Sequence, residues 1–196
     1  QRKPNFVLLL DDDNTLLPGG IKRAVNTMLH PLNAKYTLMT FRSKYRLSSL
    51  DTLWSKTYKS DSGVDGYCNY GDFYYKISGN AIYCGKGIYR LKEYTEQIEG
   101  KLPDNRILSH DIIEGAIVST GSLALPTYED APKSFVSHII RQNRWERGDI
   151  LLTPYIFSKK VSQPFYRYVN AFNALKTIIP SLQFALLIML FVSADL

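Results

Sequence analysis

Residues 7–15, with the sequence VLLLDDDNT, place three carboxylates directly after four apolar residues. Such an apolar run is typical of a short buried strand, so the carboxylates fall where that strand must end. Burying neighbouring carboxylates without a counter-charge is costly, and we therefore expect Asp11, Asp12 and Asp13 to face a cleft. Oxygen ligands of this kind suit a hard divalent cation, which predicts a Mg²⁺ or Mn²⁺ site. A solvated turn with a helix N-cap is the alternative.

The composition indicates a folded chain with a modest excess of positive charge. Of its 196 residues 45% are hydrophobic, which argues against disorder. The net charge of +6 suits anionic phosphates or an anionic membrane surface, and it is too small to indicate a nucleic-acid partner. Cys68 and Cys84 lack metal-ligand spacing, so free thiols in a reduced compartment are expected.

Helix and strand patterns alternate along residues 1–150, which favours an α/β domain with a mixed sheet flanked by helices. The spacing predicts a strand at 36–41, helices at 21–30, 93–99, 111–117 and 135–147, a loop at 60–72, and a strand or short helix at 73–78. Pro31 stops the first helix, and Ser109 is a candidate cap for the third. Ligands gather at the carboxyl ends of strands in such sheets, where the acidic run lies.

An uncharged run at residues 177–194 predicts a transmembrane helix, because about 17–25 apolar residues span a bilayer. A buried C-terminal helix is the alternative. Four basic residues precede the run, and by the positive-inside rule the preceding domain would be cytoplasmic. They are Lys159, Lys160, Arg167 and Lys176. Residues 151–176 form an amphipathic segment whose apolar stripe either lies in the membrane interface or packs on the domain.

Two further stretches combine residue types that bind or activate substrates. Gly85 and Gly87 flank Lys86, so the backbone can approach a ligand closely while the lysine supplies a cation; a plain turn is the alternative. His110 and Asp111 follow an apolar pair. An aspartate held there is a candidate general base, and a helix start with an acidic first turn is the alternative.

The helix predicted at 135–147 carries Arg141, Arg144 and Trp145 on one face. Guanidinium groups bind phosphate or carboxylate with two parallel hydrogen bonds, and an indole offers a flat wall for a sugar ring. A solvated basic face, with Trp145 simply in the core, is the alternative. The apolar residues of this helix are expected to form its buried side. They are Phe135, Val136, Ile139 and Ile140.

Together these motifs resemble membrane-bound, processive GT-A glycosyltransferases, and more closely the glycosyltransferase domain of cyclic β-1,2-glucan synthases (glycosyltransferase family 84). The resembling phrases cover about residues 6–150. They are HPLN at 30–33, GKGIY at 85–89, LP at 102–103, NRILSHD at 105–111, EG at 114–115, RW at 144–145 and RGD at 147–149. The resemblance implies a partial GT-A domain over residues 1–150, an interfacial segment over 151–176 and a transmembrane helix from 177.

The resemblance also implies a reaction in polysaccharide biosynthesis, in which glucose passes from UDP-glucose to a growing β-1,2-glucan with inversion. Asp111 would be the general base, and Asp11, Asp12 and Asp13 would hold Mg²⁺ or Mn²⁺ against the diphosphate. Arg144 would stabilise the leaving UDP, and Trp145 would line the acceptor site. The donor- and acceptor-binding set is Gly85, Lys86, Gly87, His110, Arg141, Arg144 and Trp145. A place in the bacterial inner membrane, with the catalytic domain in the cytoplasm, is implied as well.

The sequence departs from the family pattern in three places. The metal-binding aspartates fall at Asp12 and Asn14 when counted back from Pro18, and at Asp11 and Asp13 when the acidic run itself is counted. Position 141 is arginine where cellulose synthases have glutamine. The first nucleotide-binding strands are not in the chain, so we expect the chain alone to be inactive.

Two other classes compete with this interpretation. Asp11, Asp13 and Thr15 after an apolar strand also resemble the haloacid-dehalogenase phosphohydrolase signature, in which Asp11 would be the nucleophile and Asp13 the general acid. That class leaves the arginine–tryptophan helix and the membrane run unexplained. A non-catalytic, membrane-tethered saccharide-binding subunit would use Trp145 but not Asp111.

Overall fold

Five strands form one mixed sheet in the computed structural model of the chain. The structure describes residues 5–58, 75–103, 106–108, 110–161 and 163–194. The loop predicted at 60–72, Cys68 and the Ser109 cap lie outside these ranges. The fold class expected from the sequence, a mixed α/β sheet flanked by helices and followed by an apolar helix, is confirmed.

The sheet brings three parallel strands to a common edge. The strands are β1 (Phe6–Leu9), β2 (Thr15–Leu16), β3 (Leu38–Tyr45), β4 (Gly87–Arg90) and β5 (Thr120–Glu129). Their order across the sheet is β1-β4-β3-β5-β2, with β3 and β5 parallel and the other neighbours antiparallel. Since β4 runs against both β1 and β3, the strands β1, β3 and β5 all point the same way. Their carboxyl ends therefore meet at one edge, as expected for the acidic run.

Apart from α2, which the sequence did not predict, the helices lie close to where the apolar spacing predicts them. They are α1 (Gly20–Leu29), α2 (Leu53–Tyr58), α3 (Leu91–Ile98), α4 (Asp111–Ile117), α5 (Phe135–Leu151) and α6 (Pro164–Ala194). Three-residue 3₁₀ turns occur at Pro31–Asn33, Leu47–Ser49 and Thr153–Tyr155. Residues 75–78 are helical rather than extended. The strand predicted at 36–41 is confirmed as the longer β3, whereas β5 was not predicted.

Apolar side chains cover both faces of the sheet, which explains why the first four residues of β3, Leu38 to Phe41, are all buried. Leu38 packs on one face and Met39 on the other, as strand alternation requires. α1 covers the Met39 face through Ala24 and Met28. α4 and α6 cover the Leu38 face, and their buried members are Ile113, Ala116, Ile117, Tyr166 and Val169. The sheet is therefore held rigidly between helical layers.

The last helix, α6, combines a packed half and an apolar half. The amphipathic segment and the apolar run predicted as separate elements are continuous from Pro164, with Pro180 inside the helix. Tyr166 and Val169 pack on the domain, while Tyr168, Phe172 and Leu175 are exposed. In the described part of the chain, α6 is the one helix long and apolar enough to cross a membrane, and its most apolar window is fully exposed.

Two burial predictions are wrong, for different physical reasons. β1 was expected to be buried, but it lies at the end of the sheet in the described residues, and Leu9 is exposed. α5 was expected to bury Phe135, Val136, Ile139 and Ile140, and all four are exposed. Instead, α5 turns its half-buried His138, Arg141 and Trp145 inward. The apolar pattern identified the helix and not its contact face.

Candidate active site at the carboxyl edge of the sheet

A tight turn holds the acidic run at the end of β1. The Asn14 amide donates to the Asp11 carbonyl at 3.0 Å, and the Asp11 amide donates to the Asn14 side chain at 3.0 Å. The chain then enters β2, where Thr15 pairs with Tyr128 of β5. The turn and this pairing carry Asp11 and Asp13 towards the end of β5. A turn, rather than strand alternation, therefore groups the two carboxylates.

Lys86 reaches this turn because β4 runs alongside β1. Leu9 pairs with Gly87, which sets Lys86 beside the end of β1. Its Nζ lies 3.2 Å from Asp11 Oδ2, although the lysine side chain is only 8% exposed. Its carbonyl accepts hydrogen bonds from the Phe41 amide at 3.0 Å and from Thr40 Oγ1 at 3.1 Å. The backbone of Lys86 is therefore fixed, and its buried stem delivers a cation to the carboxylates.

A third carboxylate, Glu129, ends β5 and is almost fully buried, with 1% of its side chain exposed. Its Oε2 accepts a hydrogen bond from Arg141 at 3.1 Å, and its Oε1 lies 3.6 Å from Lys86 Nζ, too far for a hydrogen bond. Burial raises the pKa of Glu129, and the charges of Lys86 and Arg141 only partly oppose that rise. The two cations favour the charged form of this buried carboxylate, and the Arg141 hydrogen bond orients it.

Arg46, directly after β3, ties the ends of three strands together. Its guanidinium donates to Asp130 at 2.6 Å and to the Asp13 carbonyl at 3.0 Å. Its backbone amide donates to the Glu129 carbonyl at 2.8 Å. These contacts join the segments that follow β1, β3 and β5. The carboxyl edge therefore has a fixed geometry before any ligand binds.

Asp111, the first residue of α4, lies at the same edge. Its carboxylate contacts Gly85, the residue before Lys86. A Cβ atom placed on Gly85 would lie 2.8 Å from Asp111 Oδ2, so the carboxylate packs directly against that glycine. Gly85 has a φ of +84°, in the region that favours glycine. Gly87 is equally crowded, because a Cβ there would lie 2.6 Å from the Met39 carbonyl. The Gly85–Lys86 dipeptide thus touches Asp111 through one residue and the acidic cluster through the next.

A second acidic residue, Glu114, lies one helical turn from Asp111. Burial raises its pKa, while a hydrogen bond from Tyr94 and the nearby His110 partly oppose that rise. Burial also raises the pKa of Tyr83 strongly, and the negative charges of Asp111 and Glu114 add to that effect. His110 itself is exposed, and its Nε2 lies 2.9 Å from the Ile107 carbonyl. The base candidate therefore sits beside a partly buried acidic helix turn.

The inward face of α5 supplies an arginine and an aromatic ring. The Arg141 guanidinium lies over the Trp145 ring at 4.7 Å and also binds Glu129. Trp145 is half-buried, so it is neither core nor free surface. Arg144 is exposed and makes no ion pair or hydrogen bond within the described residues. The structure thus joins Arg141 and Trp145 to the carboxylate cluster and leaves Arg144 on the outer surface of the helix.

The donor set at this edge suits a divalent cation. Asp11, Asp13 and Glu129 each offer one carboxylate oxygen, and these oxygens lie within 4.8 Å of one another. Carboxylate oxygens are what Mg²⁺ and Mn²⁺ prefer. Asp12 is exposed and lies outside this group. Of the two ways to count the aspartate pair, the arrangement favours Asp11 and Asp13 over Asp12 and Asn14.

A separate open cavity of about 930 Å³ lies at the other end of β1. Phe6, Leu29 and Arg90 are among its lining residues, and it includes none of the site residues described above.

Sequence reasoning missed Glu129 and Arg46. The signal for Glu129 was available, because Leu123, Leu125 and Thr127 alternate in a strand pattern and place Glu129 on the same buried face. Arg46 had no comparable signal, since its partners follow strands that are distant in sequence. Its role depends entirely on the order of strands in the sheet.

A mixed α/β domain with clustered carboxylates at its carboxyl edge, joined to a long apolar helix, defines a candidate membrane-associated enzyme. The comparisons give a more specific similarity. The chain is 28% identical to cyclic β-(1,2)-glucan synthase NdvB of Rhizobium meliloti strain 1021 over 171 residues, which cover 79% of the chain. It is 23% identical over 162 residues, or 75% of the chain, to glucans biosynthesis glucosyltransferase H of two Klebsiella pneumoniae strains. No family model matches the chain.

These similarities confirm the resemblance to cyclic β-1,2-glucan synthases that the sequence motifs predict. The chain spans 6% of the length of the Rhizobium protein and 19% of the Klebsiella proteins. It therefore corresponds to a small part of each relative.

Proposed function

We propose that this chain is part of a membrane-bound, inverting glycosyltransferase that transfers glucose from UDP-glucose to a growing β-1,2-glucan. The observation that carries the proposal is the meeting of two groups at one edge of the sheet. Asp111 packs on Gly85, and the adjacent Lys86 contacts the Asp11–Glu129 cluster. A direct displacement requires the general base and the diphosphate-binding site to lie side by side, as these two groups do. The similarity to the glucan synthase and the glucosyltransferase supports the same class.

In the proposed reaction, the 2-hydroxyl oxygen of the acceptor glucose forms a bond to C1 of the donor glucose. The bond from C1 to the diphosphate oxygen breaks, and its electron pair leaves with UDP. Asp111 accepts the hydroxyl proton. Because the attack and the departure are on opposite faces of C1, the configuration inverts.

Asp11 and Asp13 are the proposed ligands of Mg²⁺ or Mn²⁺, which when bound supplies positive charge beside the diphosphate. Lys86 and Arg141 add fixed positive charge at the same edge, and Glu129 holds both in place. Trp145 offers its ring to the acceptor sugar, and Arg144 remains a proposed diphosphate ligand. The α6 helix is proposed to span the bacterial inner membrane, with the domain on the cytoplasmic side.

The test uses the full-length protein that carries this chain, purified in detergent and supplied with labelled UDP-glucose. We expect glucan formation with release of UDP, loss of activity with a chelator, and recovery with Mg²⁺ or Mn²⁺. Asp111→Asn should abolish transfer and largely keep UDP-glucose binding, because the amide cannot accept the proton.

Lys22→Met on the exposed surface of α1 is the control. Near-normal turnover of Asp111→Asn would exclude the base role, and full activity in excess chelator would exclude the metal. Release of inorganic phosphate instead of UDP would favour the phosphohydrolase class. Saccharide binding without any turnover would favour a binding subunit.

A further inference from the structure

Lys86 occupies the position in which a divalent cation would be needed. Its Nζ is 3.2 Å from Asp11 and 3.6 Å from Glu129, two of the three carboxylates that form the candidate metal group. The lysine therefore offsets part of the negative charge of the cluster when no metal ion is bound. A divalent ion that binds Asp11 must compete for the carboxylate that the ammonium already holds, and the two positive charges repel each other at short range.

The buried stem of Lys86 keeps its ammonium close to the cluster when a metal ion arrives. The Lys86 side chain is 8% exposed, and its backbone carbonyl is fixed by Thr40 and Phe41. Only the end of the side chain is able to swing, and Glu129 remains beside it as a buried counter-charge. Because Glu129 Oε1 accepts no hydrogen bond in the described part of the chain, it has capacity to hold the displaced ammonium.

The formal charge of the cluster decides whether the displaced ammonium is able to attract a diphosphate. Asp11, Asp13 and Glu129 outnumber Lys86 and Arg141, which leaves a formal charge of −1. That charge repels a diphosphate. A bound divalent ion changes it to +1, and Lys86 then has fewer carboxylates to satisfy.

We propose that the Lys86 ammonium is an exchangeable cation: it pairs with Asp11 beside Glu129 in the metal-free site, and it binds the nucleotide diphosphate once a divalent ion has taken Asp11. This deepens the proposed function and rests on it, because it requires a metal ion and a diphosphate at this edge. It makes metal binding a condition for tight nucleotide binding.

Lys86 should weaken the binding of the metal ion and strengthen the binding of the nucleotide. A purely structural role would not have opposite effects on the two ligands. Replacing Lys86 with an apolar residue removes the competitor of the metal ion, so Mn²⁺ alone should bind more tightly. The same replacement removes a charge-assisted hydrogen bond to the diphosphate, so UDP should bind more weakly when Mn²⁺ is saturating. Such bonds contribute enough for about a tenfold change in affinity.

The test measures both affinities in the full-length protein, Mn²⁺ by electron paramagnetic resonance of the free ion and UDP by calorimetry in saturating Mn²⁺. Lys86→Met should raise the Mn²⁺ affinity about tenfold and lower the UDP affinity at least about tenfold. Lys22→Met, which removes one exposed positive charge from α1, should change neither. Lys86→Gln keeps a hydrogen-bond donor for the carboxylates and serves if Lys86→Met does not fold; the same signs are expected.

Any other combination of signs in a folded Lys86 variant overturns the exchange, and a parallel loss of both affinities would assign Lys86 to site integrity alone. Unfolding of both variants would make Lys86 a structural residue and overturn it as well. Failure of the unmodified protein to bind Mn²⁺ or UDP would instead overturn the proposed function.

Discussion

Gly85 is the residue on which the position of the proposed base depends. It combines a φ of +84° with direct contact to the Asp111 carboxylate, so a side chain there would be strained and would also displace the carboxylate. Gly79 offers a matched comparison, because its φ is +72° and a Cβ there would meet nothing within 4 Å. The two glycines therefore separate backbone strain from contact with Asp111.

We predict that Gly85→Ala lowers kcat at least about tenfold, because small displacements of a catalytic group are costly. Gly79→Ala should lose stability by about 1–3 kcal/mol from the same left-handed strain and keep kcat. Steady-state kinetics with UDP-glucose and thermal unfolding of both variants make the comparison. Equal kcat values in the two variants would show that Asp111 does not depend on Gly85.

Glu114 gives a pH-dependent prediction. Burial raises its pKa above the usual 4.5 in the folded state, so the folded protein holds this proton to higher pH than the unfolded chain. Its contribution to stability is therefore fully present below about pH 4.5 and is lost as the pH rises through the folded-state pKa. Glu114→Gln lacks this loss.

The unfolding free energy of Glu114→Gln, relative to the unmodified protein, should thus increase from pH 4 towards neutral pH. Glu96→Gln on the exposed side of α3 is the control. A difference that stays constant with pH would contradict the burial of a charged Glu114.

At the scale of elements, α5 shows how a correct helix can present an unexpected face. Its capping box, made by Ser134 and Ser137, starts the helix where the sequence predicts it. Its orientation is then set by polar contacts, in particular by Arg141 on buried Glu129, and by His138 against Tyr58 at 4.4 Å between ring centroids. Binary patterning cannot anticipate this, because it assigns the apolar side to the core.

We predict that Arg141→Lys lowers transfer at least about tenfold, because lysine cannot both bind Glu129 and stack on Trp145. The sequence also predicts that Arg144→Lys severely impairs transfer. Arg23→Lys, at an exposed arginine, is the control for both. Trp145→Ala should weaken binding of the acceptor more than binding of the donor. Separate KM values for acceptor and UDP-glucose measure these effects. Normal kinetics of Arg141→Lys would contradict a role of α5 in binding the donor.

The sequence predicted which segments form helices and strands better than it predicted which of these elements lie next to one another. Asp11, Lys86 and Asp111 were each singled out from local patterns, but only strand pairing brings Lys86 to Asp11 across 75 residues. The error over β1 has the same origin, because burial of a strand depends on its place in the sheet order. Glu129 escaped notice because a buried acid at a strand end gains meaning only from the cations around it.

At the scale of the whole molecule, α6 links the domain to a membrane-spanning length of helix. Its first half contributes Tyr166 and Val169 to the core, and its second half is apolar and exposed.

We predict that a periplasmic reporter fused after residue 196 is active, because the basic residues before the run favour a cytoplasmic domain. Leu186→Arg should reduce insertion by about 2.5–3.5 kcal/mol, whereas exposed Leu53→Arg should not. An inactive periplasmic reporter would reverse the topology.

The continuity of α6 also has a consequence for biogenesis. The ribosome makes the sheet before α6, so the part of the Leu38 face that α6 covers stays exposed until Tyr166 and Val169 emerge. In the proposed membrane topology, those residues lie on the helix that the insertion machinery receives. The proposed membrane topology therefore couples final folding of the domain to entry of α6 into the bilayer during synthesis. A chain released before that point would expose an aggregation-prone apolar surface to chaperones and proteases.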